Sequence, residues 1–225
     1  MRTLALCLAL VTLPGAPPQA AGGCAEDAML VFDGSGSMAE VDHDPTAPTR
    51  IEDARRALRR AMPDIAPYRR VGLLTYGPGA AHPCAGIALR FGPRADAGAA
   101  VVAEIDALTP GGLTPLAASV AAAANVLEGA GIVVLVTDGN ETCGGTPCAL
   151  GARLAAERPG LTVHVIGFRV VHDPFSWNSP EAGAYDGQTV AKCLSDATGG
   201  LFVSTETVEA LTDALRETLG CALIG

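Results

Sequence analysis

The sequence predicts an α/β fold, with a doubly wound, mostly parallel central sheet, one antiparallel edge strand and helices on both faces. Three observations carry this expectation. Short apolar runs at residues 29–32, 71–76, 132–137 and 161–168 show no polar face, as strands covered on both sides do. Segments of helical length and pattern separate most of them, so strand and helix alternate along the chain. Residues 86–91 alternate in character instead, which suits an edge strand with one wet face.

The first run, Met29-Leu30-Val31-Phe32, leads into Asp33-Gly34-Ser35-Gly36-Ser37, one carboxylate and two hydroxyls spaced by glycines. Glycine allows a tight turn, so alternate side chains can converge at the C-terminal end of a parallel strand, where such sheets build ligand sites. Hard oxygen donors of this kind suit Mg²⁺, Ca²⁺ or Mn²⁺ rather than zinc. Residues 40–49 read as a surface loop, and Asp42, His43 and Asp44 as an acidic exposed stretch rather than a second ion site. Thr49 and Glu52 have the capping-box spacing and open a helix with Ile51, Ala54, Leu58 and Met62 on its apolar face. Pro63 is expected to stop that helix near Ala61. Its arginines, Arg55, Arg56, Arg59 and Arg60, read as a solvated face.

The strand at 71–76 and the edge strand follow, with His82 and Cys84 in the loop between them. Residues 94–108 are predicted helical, and Pro110-Gly111-Gly112 forms a turn that presents Thr114. Pro115 begins an alanine-rich helix to Glu128, whose small side chains permit close approach to the sheet. The strand at 132–137 delivers Asp138, and a further helix runs to about Glu157. His164 lies within the strand at 161–168 and reads as a satisfied core residue. Residues 169–188 are long and irregular and hold Phe175, Trp177 and Tyr185, a candidate partner-binding set or simply the packing of the loop. Residues 189–198 (helix), 201–204 (strand) and 208–219 (amphipathic helix) close the fold.

Asp-x-Ser-x-Ser after an apolar strand resembles the opening of the metal ion-dependent adhesion site of the von Willebrand factor type A family. That family also uses a threonine from a mid-chain loop and an aspartate after a later apolar strand. Thr114 and Asp138 stand in those places, and the resemblance covers residues 28–219. It implies that Ser35, Ser37 and Thr114 ligate a divalent cation directly, with Asp33 and Asp138 acting through bound water or hydrogen bonds. It also implies a protein partner whose acidic side chain completes the coordination.

An enzyme is not expected. Gly-x-Ser-x-Gly is absent around Ser35, and no histidine stands in a segment that clearly returns to it. Two other readings stay open: a structural envelope protein with a stabilising metal, and a metal-assisted hydrolase with Asp138 as base.

Arg2 ahead of an apolar run, then Ala20-Ala21-Gly22, reads as a secretory signal peptide at residues 1–22, leaving residues 23–225 as one domain exported to the periplasm or secreted. No later run is long enough to span a bilayer. The formal net charge is −9 with a single lysine, Lys192, which disfavours nucleic acid and anionic membranes. Of seven cysteines, Cys7 falls in the leader. The remaining six, an even set in an exported domain, imply disulfides, and lipidation of Cys24 would break that parity. Cys143 and Cys148 bracket a flexible Gly144-Gly145 turn and are expected to pair. Cys24 and Cys221 fall at the same rim of the sheet, and Cys84 with Cys193 is left by elimination.

Overall fold

A computed structural model of the chain describes residues 24, 26–41, 45–79, 81–170, 180–181 and 189–221. The leader expected at 1–22, the acidic stretch at 42–44 and the aromatics Phe175, Trp177 and Tyr185 lie outside the described residues.

Six strands form one sheet in the order β3-β2-β1-β4-β5-β6. They are β1 (Ala28–Asp33), β2 (Val71–Tyr76), β3 (Ala88–Arg94), β4 (Gly131–Thr137), β5 (Leu161–Phe168) and β6 (Phe202–Thr205). All neighbours run parallel except β2 and β3, which are antiparallel. The predicted mixed, mostly parallel sheet is therefore the observed one. Side chains alternate along each inner strand, and both faces are covered. Leu30, Phe32, Val134 and Val136 pack with helices α1 (Arg50–Ile65), α2 (Gly98–Ala107) and α6 (Val208–Leu219). Met29, Val31, Val133 and Leu135 pack with α3 (Leu116–Val126), α4 (Pro147–Glu157) and α5 (Lys192–Thr198). This two-sided burial is why the inner strands read as continuous apolar runs. Edge strand β3 keeps partly exposed residues along its length.

Several helix boundaries differ from expectation, those of α1 and α2 by the most. Helix α1 continues through Pro63 to Ile65. Pro63 sits on the exposed face, while its neighbours Met62 and Ile65 are buried in the core. The lost N–H leaves only a solvent-facing carbonyl to water, and core packing outweighs that cost. At its other end, Glu52 accepts a hydrogen bond from the Thr49 N–H at 2.8 Å, as the capping box requires. The helix expected from residue 94 begins at Gly98, because β3 holds residues up to Arg94.

The arginines of α1 are not merely solvated. Arg55 donates to the carbonyls of Ile105 and Leu108 at the end of α2, at 3.0 and 2.6 Å. Arg59 pairs with Asp106 and Arg60 with Glu209, each at 2.7 Å, and Arg56 pairs with Asp53. Arg55→Ala leaves two terminal carbonyls without their charged donor, and we expect a loss of about 2 kcal/mol in urea unfolding. Arg60→Ala, whose pair is exposed, should leave stability nearly unchanged.

Three disulfides are present: Cys24–Cys221, Cys84–Cys143 and Cys148–Cys193, with Cα separations of 5.4, 5.7 and 4.7 Å. The structure thus joins Cys24 to Cys221, but the expected Cys143–Cys148 and Cys84–Cys193 pairs are replaced. Cys148 lies in the first turn of α4, which packs on α5 so closely that a Cβ on Gly151 would come 3.0 Å from the Cys193 carbonyl. That packing brings Cys148 to Cys193. Cys143, its N–H held by the Glu141 carboxylate at 2.8 Å, is bridged to Cys84 from the β2–β3 loop. Sequence spacing gave no sign of either pairing.

Candidate metal centre

Asp33 is the last residue of β1, and Asp138 follows the last residue of the neighbouring β4. Parallel pairing thus brings two carboxylates to the same edge of the sheet, which is fully covered: Asp33 is 0% and Asp138 1% exposed. Asp33 accepts hydrogen bonds from the Ser35 N–H at 2.8 Å and the Thr137 hydroxyl at 2.7 Å. Thr137 in turn accepts from the Tyr76 hydroxyl at 3.1 Å. Burial and the nearby Asp33 carboxylate push the Tyr76 phenol well above its usual range, so it remains a donor.

Above Asp33 the serine loop turns back on itself. The Ser35 and Ser37 hydroxyls are 3.0 Å apart, and Ser37 donates to Asp138 Oδ1 at 2.8 Å. The loop carrying Thr114 is stitched to this turn by Gly111 N–H to the Gly34 carbonyl (2.9 Å) and Gly36 N–H to the Gly112 carbonyl (3.1 Å). Gly112 has φ +73°, and a Cβ there would run into the Gly77 carbonyl. Gly112→Ala is therefore expected to cost on the order of 2 kcal/mol and to lower the melting temperature. Thr114 is fixed from its other side, its N–H donating to the Thr142 hydroxyl at 2.8 Å.

Ser35, Ser37, Thr114 and Asp138 line one cavity of about 260 Å³, with Asp33 buried beneath. All five residues singled out in the sequence are brought together, four around the cavity and Asp33 as the support below. A larger trough of about 660 Å³, lined by Pro78, Leu108 and Pro110 among others, shares Gly112 with it. Burial, and repulsion from Asp33, raise the Asp138 carboxyl from its ordinary 3.8 to about 7, against the lowering effects of Ser37 and Arg50. Buried carboxylates that repel one another beneath converging hydroxyls are a donor set that a hard divalent cation suits. No cluster of three or more His, Cys, Asp or Glu that could hold a metal ion occurs among the described residues.

Several participants gave no sequence signal of their own. Arg50, the first residue of α1, is 4% exposed and reaches Asp138 Oδ2 at 3.1 Å, the Ser37 carbonyl at 3.2 Å and Glu40 at 3.3 Å. Glu141 caps α3 by accepting from the Ala117 N–H at 2.9 Å. Away from the site, His164, which the sequence marks as a satisfied core residue, is half-buried, and its Nδ1 accepts from the Leu201 N–H at 3.0 Å.

The model of the von Willebrand factor type A domain family matches residues 28–141. The chain is similar to YwmD, an uncharacterized protein of Bacillus subtilis (strain 168), with 28% identity over 151 residues, 62% of this chain and 66% of that protein. It thus spans just under two thirds of that relative's length. Among solved structures, proximal thread matrix protein 1 from the mussel byssus, with a zinc-occupied MIDAS motif, superposes with a TM-score of 0.58 at 18% identity, covering 89% of this chain and 46% of that one. The pilus adhesin SpaC from Lactobacillus rhamnosus GG superposes with a TM-score of 0.60 at 16% identity, covering 89% and 30%. At these identities the structural likeness speaks for the fold.

Proposed function

Because the chain belongs to the von Willebrand factor type A domain family, we propose that it is an exported, non-enzymatic binding domain with a complete metal ion-dependent adhesion site. Ser35, Ser37 and Thr114 would hold Mg²⁺, or Ca²⁺ or Mn²⁺, through their hydroxyls, with Asp33 and Asp138 balancing its charge. A bound divalent ion supplies an electrophilic position open to an acidic side chain of a protein partner. The observation that carries this reading is the convergence of Ser35, Ser37, Thr114 and Asp138 on one cavity above buried Asp33. The neighbouring structures with a MIDAS motif and an adhesin's role support it. The disulfides support a periplasmic or secreted address, since they persist in oxidising compartments. No helix among the described residues is long and apolar enough to cross a membrane.

The test is calorimetric titration with Mg²⁺, followed by capture of partners from envelope extract in Mg²⁺ and in EDTA. Thr114→Ala removes one hydroxyl ligand and is expected to weaken Mg²⁺ binding by at least about tenfold and to abolish capture, with cooperative melting retained. Capture that is equal in EDTA and Mg²⁺ overturns the reading. A metal-dependent melting shift without capture would indicate a structural metal instead, and turnover of model esters would indicate a hydrolase.

A further inference from the structure

We propose that Arg50 is a cation built into this site, one that weakens its hold on the divalent ion and strengthens the demand of the loaded site for an anionic ligand. This inference rests on the metal-binding reading above and names the residue that sets its ligand preference. Arg50 is 4% exposed, and its Nη1 lies within 3.3 Å of Asp138 Oδ2, the Ser37 carbonyl and Glu40 Oε2. The first two of these groups belong to residues of the site itself. The Glu40 side chain is 63% exposed, so water screens its charge, whereas Arg50 and Asp138 are both out of solvent.

The consequence follows from placing one cation against the site. Arg50, out of solvent beside Asp138, makes the site one charge more positive than its carboxylates alone would make it, with or without the ion. A divalent ion therefore meets a less negative site than it would without Arg50. An incoming carboxylate meets a loaded site that is more positive by the same charge. Interactions between charges a few ångströms apart in a covered site are strong enough to change affinities by tenfold or more. The placement is also held from outside the loop: Arg50 opens α1, whose capping box at Thr49 and Glu52 fixes where the side chain starts.

The experiment uses the full chain at pH 8, with Mg²⁺ alone as the first probe and acetate as the second. Mg²⁺ affinity is read by calorimetry, and acetate binding to the Mg²⁺-loaded protein by shifts of the Gly34 and Gly36 amide resonances. Arg50→Gln is expected to bind Mg²⁺ about tenfold more tightly and acetate about tenfold more weakly, two changes of opposite sign. Arg50→Met, a second neutral variant of similar length, should repeat both, and Arg50→Lys should stay near wild type. A neutral variant that weakens both probes, or changes neither, overturns the inference while leaving the metal site standing. So does an Arg50→Lys variant that behaves like Arg50→Gln. Wild-type protein that binds no Mg²⁺ overturns both this inference and the reading beneath it, which separates the two failures.

Discussion

Replacing Cys24 and Cys221 together by serine is expected to cost about 3–5 kcal/mol of stability, the largest loss from any single feature outside the core. The bridge closes a loop of 197 residues, so in the unfolded chain it removes more conformational freedom than either other disulfide, whose separations are 59 and 45. Its surroundings decide whether that gain is realised. Arg69, 5% exposed, donates to the carbonyls of Leu219 and Glu26 at 2.6 and 2.7 Å and to Gly220 at 3.0 Å. The Cys24 N–H donates to the Tyr68 carbonyl at 2.8 Å. Helix α6 is anchored independently by Leu211, Leu215 and Leu219 in the core. The segments that carry Cys24 and Cys221 therefore stay near one another in the native state without the bridge, and its contribution falls chiefly on the unfolded state. Urea unfolding of the double variant should show a lowered midpoint, and thermal unfolding a drop of roughly 10 °C. A loss below about 1 kcal/mol would show that Arg69 and the α6 packing hold the ends by themselves.

The sheet was legible because its inner strands are covered on both faces, and this burial writes itself into the sequence as unbroken apolar runs. β3 was legible as an edge strand, but its alternation does not map onto one wet face, because its pairing with β2 is irregular and Leu89 stands 53% exposed. Features that depend on packing between helices were not legible. The α4–α5 contact that draws Cys148 to Cys193 is marked only by Gly151, a single small residue that names no partner, whereas Gly144-Gly145 between Cys143 and Cys148 looks like a local hinge. Pro63 misled for a related reason: its rule is local, and the buried neighbours Met62 and Ile65 override it. The bonds that Arg55 makes to the end of α2 are likewise invisible until α1 and α2 are packed together.

At the site, the residues carrying the chemistry follow strand ends and turns, which sequence spacing reports well. Asp33, Ser35 and Ser37 sit on one turn, and Asp138 follows the strand paired with β1. The supports do not repeat any spacing. Thr137 reaches Asp33 from β4 and is backed by Tyr76 from β2, and Arg50 arrives from a helix start that the sequence marks only as a cap. The aspartates could be found from the pattern, but the charge around them could not. Burial first, and then that charge, sets how Asp138 titrates.

Mg²⁺ affinity is expected to fall about tenfold for each pH unit below 7, because a proton on Asp138 competes with the ion. The Asp138 carboxyl is raised from 3.8 to about 7 by burial and by Asp33. A folded-state value above the unfolded one means that the native protein binds the proton more tightly than the unfolded chain. In EDTA, this group's contribution to stability is then fully present below about pH 4 and is lost as the pH rises toward 7. With saturating Mg²⁺ the ion stands in for the proton, and that decline should be absent. Asp138→Asn removes the titrating group while keeping the side chain's shape. In EDTA it should lack the wild-type loss of stability between pH 4 and 7, and at pH 8 it should bind Mg²⁺ at least about tenfold more weakly. Urea midpoints across that range, for both proteins with and without Mg²⁺, read the stability arm. Calorimetry in two buffers of different ionisation enthalpy at pH 6 reads the proton released on binding. Mg²⁺ affinity that is flat from pH 5 to 8, with no proton released, would show that Asp138 is already ionised throughout. The buried carboxylates would then be balanced by Arg50 and the surrounding hydrogen bonds.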